Sequence, residues 1–371
     1  MRSVDLSRVT IVIPTFSRPN FVIRQFKFWR ETTAQVVILD GTPIPMEIPV
    51  EVFAENVRYV HTGLSFNQRL AGGWRYVSTE FCALLPDDEF FLPSGVAAVV
   101  RHLDENPDTI GCVGRCLYFF VDQDRFLMSH AYRDWKQFPD SAVNAAERFE
   151  FDLPPNKAHM TMYGIFRFEQ WRKIFETSCR TFFSCGYTYE RLMNLQRTAL
   201  GRTEILDDLL WMRSKENPPV VSSQLPRWGK HSFVSWARSP DFALEIAEFR
   251  RRAFGIINET GISLEQVERF EERFFEGGVA RQESKDKRAR QSIRFRLTRL
   301  LLAYSPHSIR QVAKRFLPSA ILRHLDWEGY GLKKIGYDLT RLRTRFNLEE
   351  LRRIEELSLD LDRHRRTIEA R

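Results

Sequence analysis

The sequence predicts an open α/β sheet, mostly parallel and flanked by helices, that is followed by a basic α-helical C-terminal region. Three observations favour this architecture. Short β-branched apolar runs alternate with amphipathic helical stretches, polar residues collect where those runs end, and basic residues are concentrated towards residue 371. Ligands of such sheets bind beyond the carboxyl ends of the strands, so the chemistry is expected there.

Each element is justified by its local pattern. The first run, Val-Thr-Ile-Val-Ile-Pro-Thr, is typical of a fully buried parallel strand that a proline closes. The second run ends in an acid and a glycine turn, and the stretches between runs have helical spacing. The predicted strands cover residues 9–15, 35–40, 57–60 and 81–85. The predicted helices between them cover residues 20–29 and 65–77.

Three consecutive acids, Asp87, Asp88 and Glu89, directly follow the fourth apolar run. Adjacent carboxylates repel one another and lose solvation when they are half-buried, so a bound cation would stabilise them. Oxygen ligands suit Mn²⁺ or Mg²⁺, which bind one or two carboxylates together with a substrate's phosphates. The sequence therefore predicts a divalent-metal site, and the alternative is a solvated acidic turn.

These elements together resemble family 2 glycosyltransferases. The segment 11–18, Ile-Val-Ile-Pro-Thr-Phe-Ser-Arg, is similar to their first strand and its P-T-[FY]-N-R ending, and 85–89 is similar to their metal-binding D-x-D element. Segment 39–42, Leu-Asp-Gly-Thr, resembles their D-G-S turn, and 63–69 resembles a helix start that carries an arginine. The resemblance covers roughly residues 6–235. It implies the GT-A fold, a nucleotide-diphospho-sugar donor and inverting transfer.

The resemblance also assigns residues to the donor. Arginines suit a diphosphate because the guanidinium forms a bidentate fork, and a lysine can meet the same charge. The alternative to diphosphate binding is that these arginines are ordinary surface residues, as most arginines in so basic a chain are. The predicted donor-binding residues are Pro14, Thr15, Phe16, Arg18, Asp40, Arg69, Asp87, Trp228 and Lys230.

Inverting transfer requires a carboxylate that deprotonates the acceptor hydroxyl. The family carries it in an E-D-x-x-L-x-x-R helix start, and residues 203–213 are similar to that element, with Asp207 in the place of its aspartate. Asp208 is the alternative, since a like-charged neighbour raises one of the two pKa values. An acidic first helical turn, favoured by the helix dipole, is the interpretation without catalysis.

Residues 224–232 contain Gln-Leu-Pro-Arg-Trp-Gly-Lys-His-Ser, whose letters match the Q-x-x-R-W element of processive family members. No membrane span follows, so a lid that closes over the donor is the preferred interpretation. Trp228 would stack on a ring and Lys230 would meet phosphate. His231 would be a further metal ligand beside Asp87, Asp88 and Glu89, or else an ordinary polar contact.

Charge is uneven along the chain: residues 281–371 carry 23 Lys+Arg against 12 Asp+Glu. Residues 285–323 combine 11 basic residues with apolar residues at helical spacing. This pattern indicates either a helix on an anionic membrane surface or a helix packed on the catalytic domain. Five cysteines without metal-finger spacing, a polar N-terminus and no run of the roughly 18–20 residues of a membrane span favour a cytoplasmic protein, peripheral at the membrane.

The sequence therefore predicts a catalytic domain at 1–240, a helical extension at 241–278 and a basic helical region at 279–371. The expected enzyme is a metal-dependent glycosyltransferase whose acceptor is a saccharide or a lipid-linked saccharide. A nucleotidyltransferase is the first alternative, although residues 15–19 lack the glycines of a phosphate loop. The second is a basic nucleic-acid-binding protein; no nucleic acid is expected, because the basic stretch lacks a reading motif.

Overall fold

The computed structural model describes residues 5–122, 124–131, 142–153, 161–216, 231–291 and 330–369. Within these ranges it confirms the predicted α/β class and the four predicted N-terminal strands. The strands are β1 Val9–Thr15, β2 Gln35–Asp40, β3 Val57–His61, β4 Phe81–Leu84, β5 Phe90–Phe91, β6 Thr109–Asp122, β7 Arg125–His130, β8 Ile165–Arg167 and β9 Arg202–Ser214.

Helices connect and cover these strands. A proline in the first turn starts both α1 and α3, where its missing N–H costs nothing. Ser263 and Gln266 form a capping box at the start of α9. The helices are α1 Pro19–Trp29, α2 Phe66–Gly72, α3 Pro93–Glu105, α4 Ala145–Asp152, α5 Phe168–Cys179, α6 Tyr187–Leu200, α7 Phe233–Ala237, α8 Ala243–Asn258, α9 Leu264–Glu272, α10 Gly278–Gln291, α11 Leu332–Arg341 and α12 Leu348–Glu369.

The strands form one mixed sheet in the order β3-β2-β1-β4-β8-β6-β9-β5, with β7 paired to β6. The first four strands are mutually parallel. Strands β6 and β9 run in the same direction as these four, whereas β5, β7 and β8 run antiparallel to their neighbours. The chain thus winds from β1 to one side through β2 and β3, then returns to place β4 on the other side of β1.

Each face of the sheet packs against its own set of helices, because successive side chains of a strand point to opposite faces. Ile11 and Ile13 belong to the apolar cluster under α1 and α3, whereas Val12 belongs to the cluster under α5, α6 and α8. Both clusters are buried, so the apolar runs of β1, β2 and β4 are explained by a sheet that is covered on both faces.

The chain's last described helices join this core rather than standing apart from it. Ile335 and Leu339 of α11 and Leu351 and Ile354 of α12 are buried in the same cluster as α1 and α3. Apolar residues of both helices therefore face the central sheet. The basic stretch predicted to meet a membrane lies mostly at 292–329, outside the described residues.

All five cysteines are free and buried. Their thiols have raised pKa values because burial disfavours the thiolate. Within the described ranges, no helix combines the length and apolar character that crossing a membrane requires.

Candidate functional site

The site begins at the point where the sheet reverses its winding. β1 lies between β2 and β4, and all three are parallel, so the segments after β1 and β4 leave the sheet side by side. Such a reversal opens a crevice beyond the carboxyl ends of the strands, where open α/β sheets bind their ligands. Thr15 ends β1 at this crevice, and the acidic turn of residues 87–89 follows β4.

Asp87 is held by the segment after β1. Its Oδ2 accepts a hydrogen bond from Thr15 Oγ1 at 2.7 Å, and its Oδ1 pairs with the Arg18 guanidinium at 2.5 Å. Burial raises the pKa of Asp87 to about 6, and the charge of Arg18 opposes that rise. The predicted residues Thr15, Arg18 and Asp87 are therefore brought together.

Arg18 also approaches the next acid. Its Nη2 lies 3.3 Å from Asp88 Oδ2, so one guanidinium spans two neighbouring carboxylates. The Asp87 and Asp88 side chains retain only 4% and 12% of their accessible surface. This pair thus concentrates negative charge in a nearly dry position, which attracts cations.

Glu89, the third acid, turns towards β9 instead. Trp211 Nε1 donates to Glu89 Oε2 at 2.6 Å, and Arg213 Nε lies 3.8 Å from Glu89 Oε1. Burial raises the pKa of Glu89 well above its ordinary value, although Arg213 and the Trp211 hydrogen bond oppose the shift. The structure therefore joins β9 to the acidic turn through two residues that sequence reasoning did not assign there.

The acid at the end of β2, Asp40, is also held by hydrogen bonds. Asp40 accepts hydrogen bonds from the Thr42 backbone N–H at 2.9 Å and from the Tyr59 hydroxyl at 2.5 Å. Burial, followed by this contact with Asp40, raises the pKa of Tyr59 to about 12. Asp40 thus fixes the turn after β2 that faces the crevice.

Arg69 lies behind the crevice. Its Nη1 donates to the carbonyls of Thr15 and Leu39 at 2.6 and 2.7 Å, so it ties the ends of β1 and β2 together. Burial lowers the pKa of Arg69 to about 10. Gly41 is required here, because a Cβ at that position would come within 2.6 Å of the Arg69 side chain. These bonds describe a clamp on the strand ends; the predicted diphosphate contact of Arg69 stays a prediction.

The loop after β1 has a constrained backbone. Pro14 and Phe16 are half-buried beside Thr15. Ser17 adopts φ 54°, a left-handed conformation that is costly for a residue with a side chain. Its N–H donates to Thr42 Oγ1 at 3.0 Å, which links this loop to the turn after β2.

The predicted helix start at Asp207 and Asp208 is wrong, because both residues lie within strand β9. Asp207 pairs with Arg115 and Asp208 with Arg345. Residues 206–208 form a bulge opposite Gly114, since Val113 pairs with 205 whereas Arg115 pairs with 209. Pairing with β6 overrode the helical spacing that the segment also shows. Whether either acid is the base stays a prediction.

Glu190 is a further acid on which the charge of Arg213 acts. Glu190 lies in the first turn of α6, and burial raises its pKa while Arg213 and Arg191 oppose the rise. The charge of Arg213 also opposes the rise in the pKa of Glu89. Sequence reasoning missed Glu190 because it has no acidic neighbour; its place four residues after Gly186, at a helix start, was the available signal.

The predicted ligand His231 packs against Phe242, with 4.7 Å between the ring centroids. Trp228 and Lys230 lie outside the described residues. Across the described ranges, no group of three or more histidine, cysteine or acidic side chains could hold a metal ion. The four predicted ligands thus do not converge, because successive side chains of the acidic turn point to different partners.

Comparisons with known proteins were made on the whole chain. No family model and no curated protein matches it. Crystal structures of S. aureus TarS 1-349 are similar: the complex with UDP-GlcNAc gives a TM-score of 0.48 at 10% identity, covering 97% of this chain and 92% of that one. The complex with UDP gives a TM-score of 0.45 at 9% identity, with 97% and 91% covered. Likenesses this distant bear on neither activity nor substrate.

Proposed function

We propose that the protein is an inverting glycosyltransferase, which moves a sugar from a nucleotide-diphosphate donor to an acceptor hydroxyl. One observation carries this proposal: buried carboxylates and an arginine meet at the switch point of a parallel sheet, through Asp87, Asp88 and Arg18. Nucleotides bind at such switch points, and their diphosphates need both cationic partners and a fixed orientation.

The donor's diphosphate is proposed to lie over the acidic turn and Arg18. Asp87 and Asp88 would hold Mg²⁺ or Mn²⁺ there, because both offer oxygen ligands and already attract a cation. Two carboxylates are too few to bind the ion alone, so the diphosphate oxygens would complete its coordination. When bound, the ion would neutralise charge on the leaving diphosphate.

Glu190 is proposed as the general base. The acceptor O–H gives its proton to this carboxylate, the acceptor oxygen forms a bond to the anomeric carbon, and the bond from that carbon to the donor phosphate breaks. The electron pair of the broken bond leaves with the nucleoside diphosphate. One in-line displacement inverts the anomeric configuration. The charge of Arg213 opposes the rise that burial causes in the pKa values of both Glu190 and Glu89.

Calorimetric titration of the whole chain with UDP, GDP, CDP and dTDP, each with and without Mn²⁺, tests the donor. We expect one nucleotide to bind and Mn²⁺ to strengthen its binding, whereas Mn²⁺ alone should not bind measurably. A folded protein that binds no nucleotide would contradict the proposal. Saturable binding of Mn²⁺ without nucleotide would contradict the shared site.

The base is tested separately, by comparing Glu190→Gln with Asp207→Asn and Asp208→Asn. If Glu190 is the base, its variant should keep donor affinity and lose transfer by about 10²–10⁴-fold, the usual contribution of a general base. The two aspartate variants serve as matched controls and should retain transfer. Loss of transfer in one aspartate variant alone would instead identify that aspartate, in the bulge of β9, as the general base.

The acceptor is proposed to be a saccharide or lipid-linked saccharide, reached at an anionic membrane surface through residues 285–323. The observation behind this is the excess of basic residues there, with Asp286 as the single acid. Replacing Arg294, Arg296 and Arg299 with glutamine should reduce co-sedimentation with anionic vesicles and leave donor affinity unchanged. Undiminished co-sedimentation would contradict the membrane role.

A further inference from the structure

Two adjacent side chains of α1 donate hydrogen bonds to the backbone of the acidic turn. Gln25 Nε2 donates to the carbonyls of Asp87 and Glu89, at 2.9 and 2.7 Å. Arg24 Nη2 donates to the carbonyl between them, that of Asp88, at 2.8 Å. Three consecutive carbonyls of the turn therefore have partners on one helix, which fixes the path of the turn independently of its carboxylates.

Both side chains are themselves locked. Gln25 is fully buried, and its Oε1 accepts a hydrogen bond from Trp29 Nε1 at 2.9 Å, which orients its amide so that Nε2 faces the turn. Arg24 is 2% exposed. Its guanidinium lies within 5 Å of two ring centroids, Phe21 at 4.8 Å and Phe90 at 4.9 Å. Burial this complete leaves neither residue free to serve as a surface contact.

Arg24 also reaches two distant parts of the chain. Its Nη1 donates to both carboxylate oxygens of Glu216, at 2.7 and 3.0 Å, just beyond the end of β9. The same nitrogen lies 3.5 Å from the hydroxyl of Ser358, a fully buried residue of α12. One guanidinium therefore connects the acidic turn to β9 and to the C-terminal helix.

We infer that Arg24 and Gln25 are positioning residues, which hold the acidic turn in the shape that binds the donor's diphosphate. The role in donor binding rests on the proposed function, whereas the positioning of the turn rests on its hydrogen bonds to Arg24 and Gln25. A lysine at position 24 can keep the charge opposite Glu216, but it lacks the fork that reaches Glu216 and the Asp88 carbonyl together. A methionine at position 25 keeps the volume and removes both donors.

The test uses Arg24→Lys and Gln25→Met in the full chain, with two measurements on each. The first is hydrogen exchange of the backbone amides of residues 87–92. The second is nucleotide affinity, with transfer kinetics where transfer occurs. Loss of one buried hydrogen bond to the turn should speed exchange in that segment by about tenfold or more and weaken nucleotide affinity by a similar factor. KM should rise more than kcat falls.

Arg353→Lys is the matched control, because Arg353 joins α12 to α1 through the Lys27 carbonyl at 3.3 Å without touching the acidic turn. It should leave both measurements within about twofold of wild type. Wild-type exchange at 87–92 in both folded variants would overturn the inference. Where one variant fails to fold, the other decides. If the wild-type chain binds no nucleotide, the proposed function fails, and exchange alone still decides whether these residues position the turn.

Discussion

At the scale of single residues, the site shows how neighbouring acids acquire different duties from different partners. Asp87 is tied to Thr15 and Arg18, whereas Glu89 is tied to Trp211 and Arg213. Asp88 lies between them and forms a 3.3 Å ion pair with Arg18. With Asp87, it is one of the two carboxylates proposed to hold the metal.

Asp88→Asn tests this assignment. The amide keeps the shape of the turn but removes one negative charge, so the fold should persist while Mn²⁺-dependent nucleotide binding falls by about tenfold or more. Calorimetric titration with and without Mn²⁺ measures the effect, and thermal unfolding checks the fold. Unchanged metal dependence would remove Asp88 from the proposed site.

Glu190 predicts a pH dependence. Burial raises its pKa above the ordinary value, so its carboxyl stays protonated to a higher pH than that of an exposed glutamate. A base must be ionised to act. Below the raised pKa, kcat/KM should therefore fall by about tenfold per pH unit, and above it the rate should level off. The acid limb should persist in Asp207→Asn; an acid limb at the ordinary pKa of a glutamate would contradict the assignment.

At the scale of elements, strand β9 supplies side chains that contact the acidic turn. It pairs with β6 on both sides of its bulge at 206–208. Its last residues bring Trp211 and Arg213 to the acidic turn. The bulge depends on Gly114, because a Cβ there would lie 2.5 Å from Leu210 Cβ and 2.6 Å from the Asp208 carbonyl oxygen. A side chain at this position must displace backbone.

Gly114→Ala should therefore destabilise the protein, by about 1–3 kcal/mol, the usual cost of overpacking in a core. Gly255→Ala in α8 is the matched control, since a Cβ there meets nothing within 4 Å. That change should stabilise by up to about 1 kcal/mol, because alanine favours helix over glycine. Urea unfolding measures both, and equal effects of the two changes would contradict the steric role of Gly114.

The C-terminal helix α12 caps another helix through a single side chain. Glu350 accepts hydrogen bonds from the Ser94 N–H at 2.9 Å and from the Ser94 hydroxyl at 2.6 Å, in the first turn of α3. Glu350→Ala should cost about 1–2 kcal/mol of unfolding free energy, since it leaves a helix N-terminus without its acceptor. Glu349→Ala removes an exposed neighbour and should cost little. Equal losses in the two variants, measured by urea unfolding, would argue against the cap.

At the scale of the whole molecule, the described chain has sheet-covering helices drawn from both its start and its end. Leu351 and Ile354 of α12 are fully buried in the cluster that also contains Phe26 and Phe28 of α1. A segment that contributes to the central core unfolds with it. The C-terminal helices are therefore structural parts of the same core as the sheet, whatever the basic residues before them bind.

Ile354→Ala tests this unity. Removing a fully buried isoleucine side chain should cost about 2–5 kcal/mol, and the loss should appear in one cooperative transition. Urea unfolding followed both by tryptophan fluorescence and by far-ultraviolet circular dichroism measures it. Leu348→Ala is the control, because Leu348 is 38% exposed at the start of the same helix. Separate transitions by the two probes would show that α12 unfolds independently.

Sequence reasoning succeeded where the pattern was local and redundant. The alternating apolar runs predicted β1 to β4, and the acids and arginine after β1 and β4 predicted which residues would meet, as Thr15, Arg18 and Asp87 do. It failed at β9, because the apolar spacing around Asp207 fits a helix and a strand equally well. Pairing with β6, more than 80 residues earlier in the chain, settled the conformation.

The sequence by itself determined the α/β class, the strands β1 to β4 and the acidic turn, since buried strands and their polar ends occur as short contiguous runs. The tertiary structure alone decided that Trp211 and Arg213 of β9 meet Glu89, that Arg24 supports the turn from α1, and that α12 closes the core. The physical reason is the same in each case. These contacts join segments far apart in the chain, and burial selects them by packing and by satisfied hydrogen bonds rather than by any local pattern.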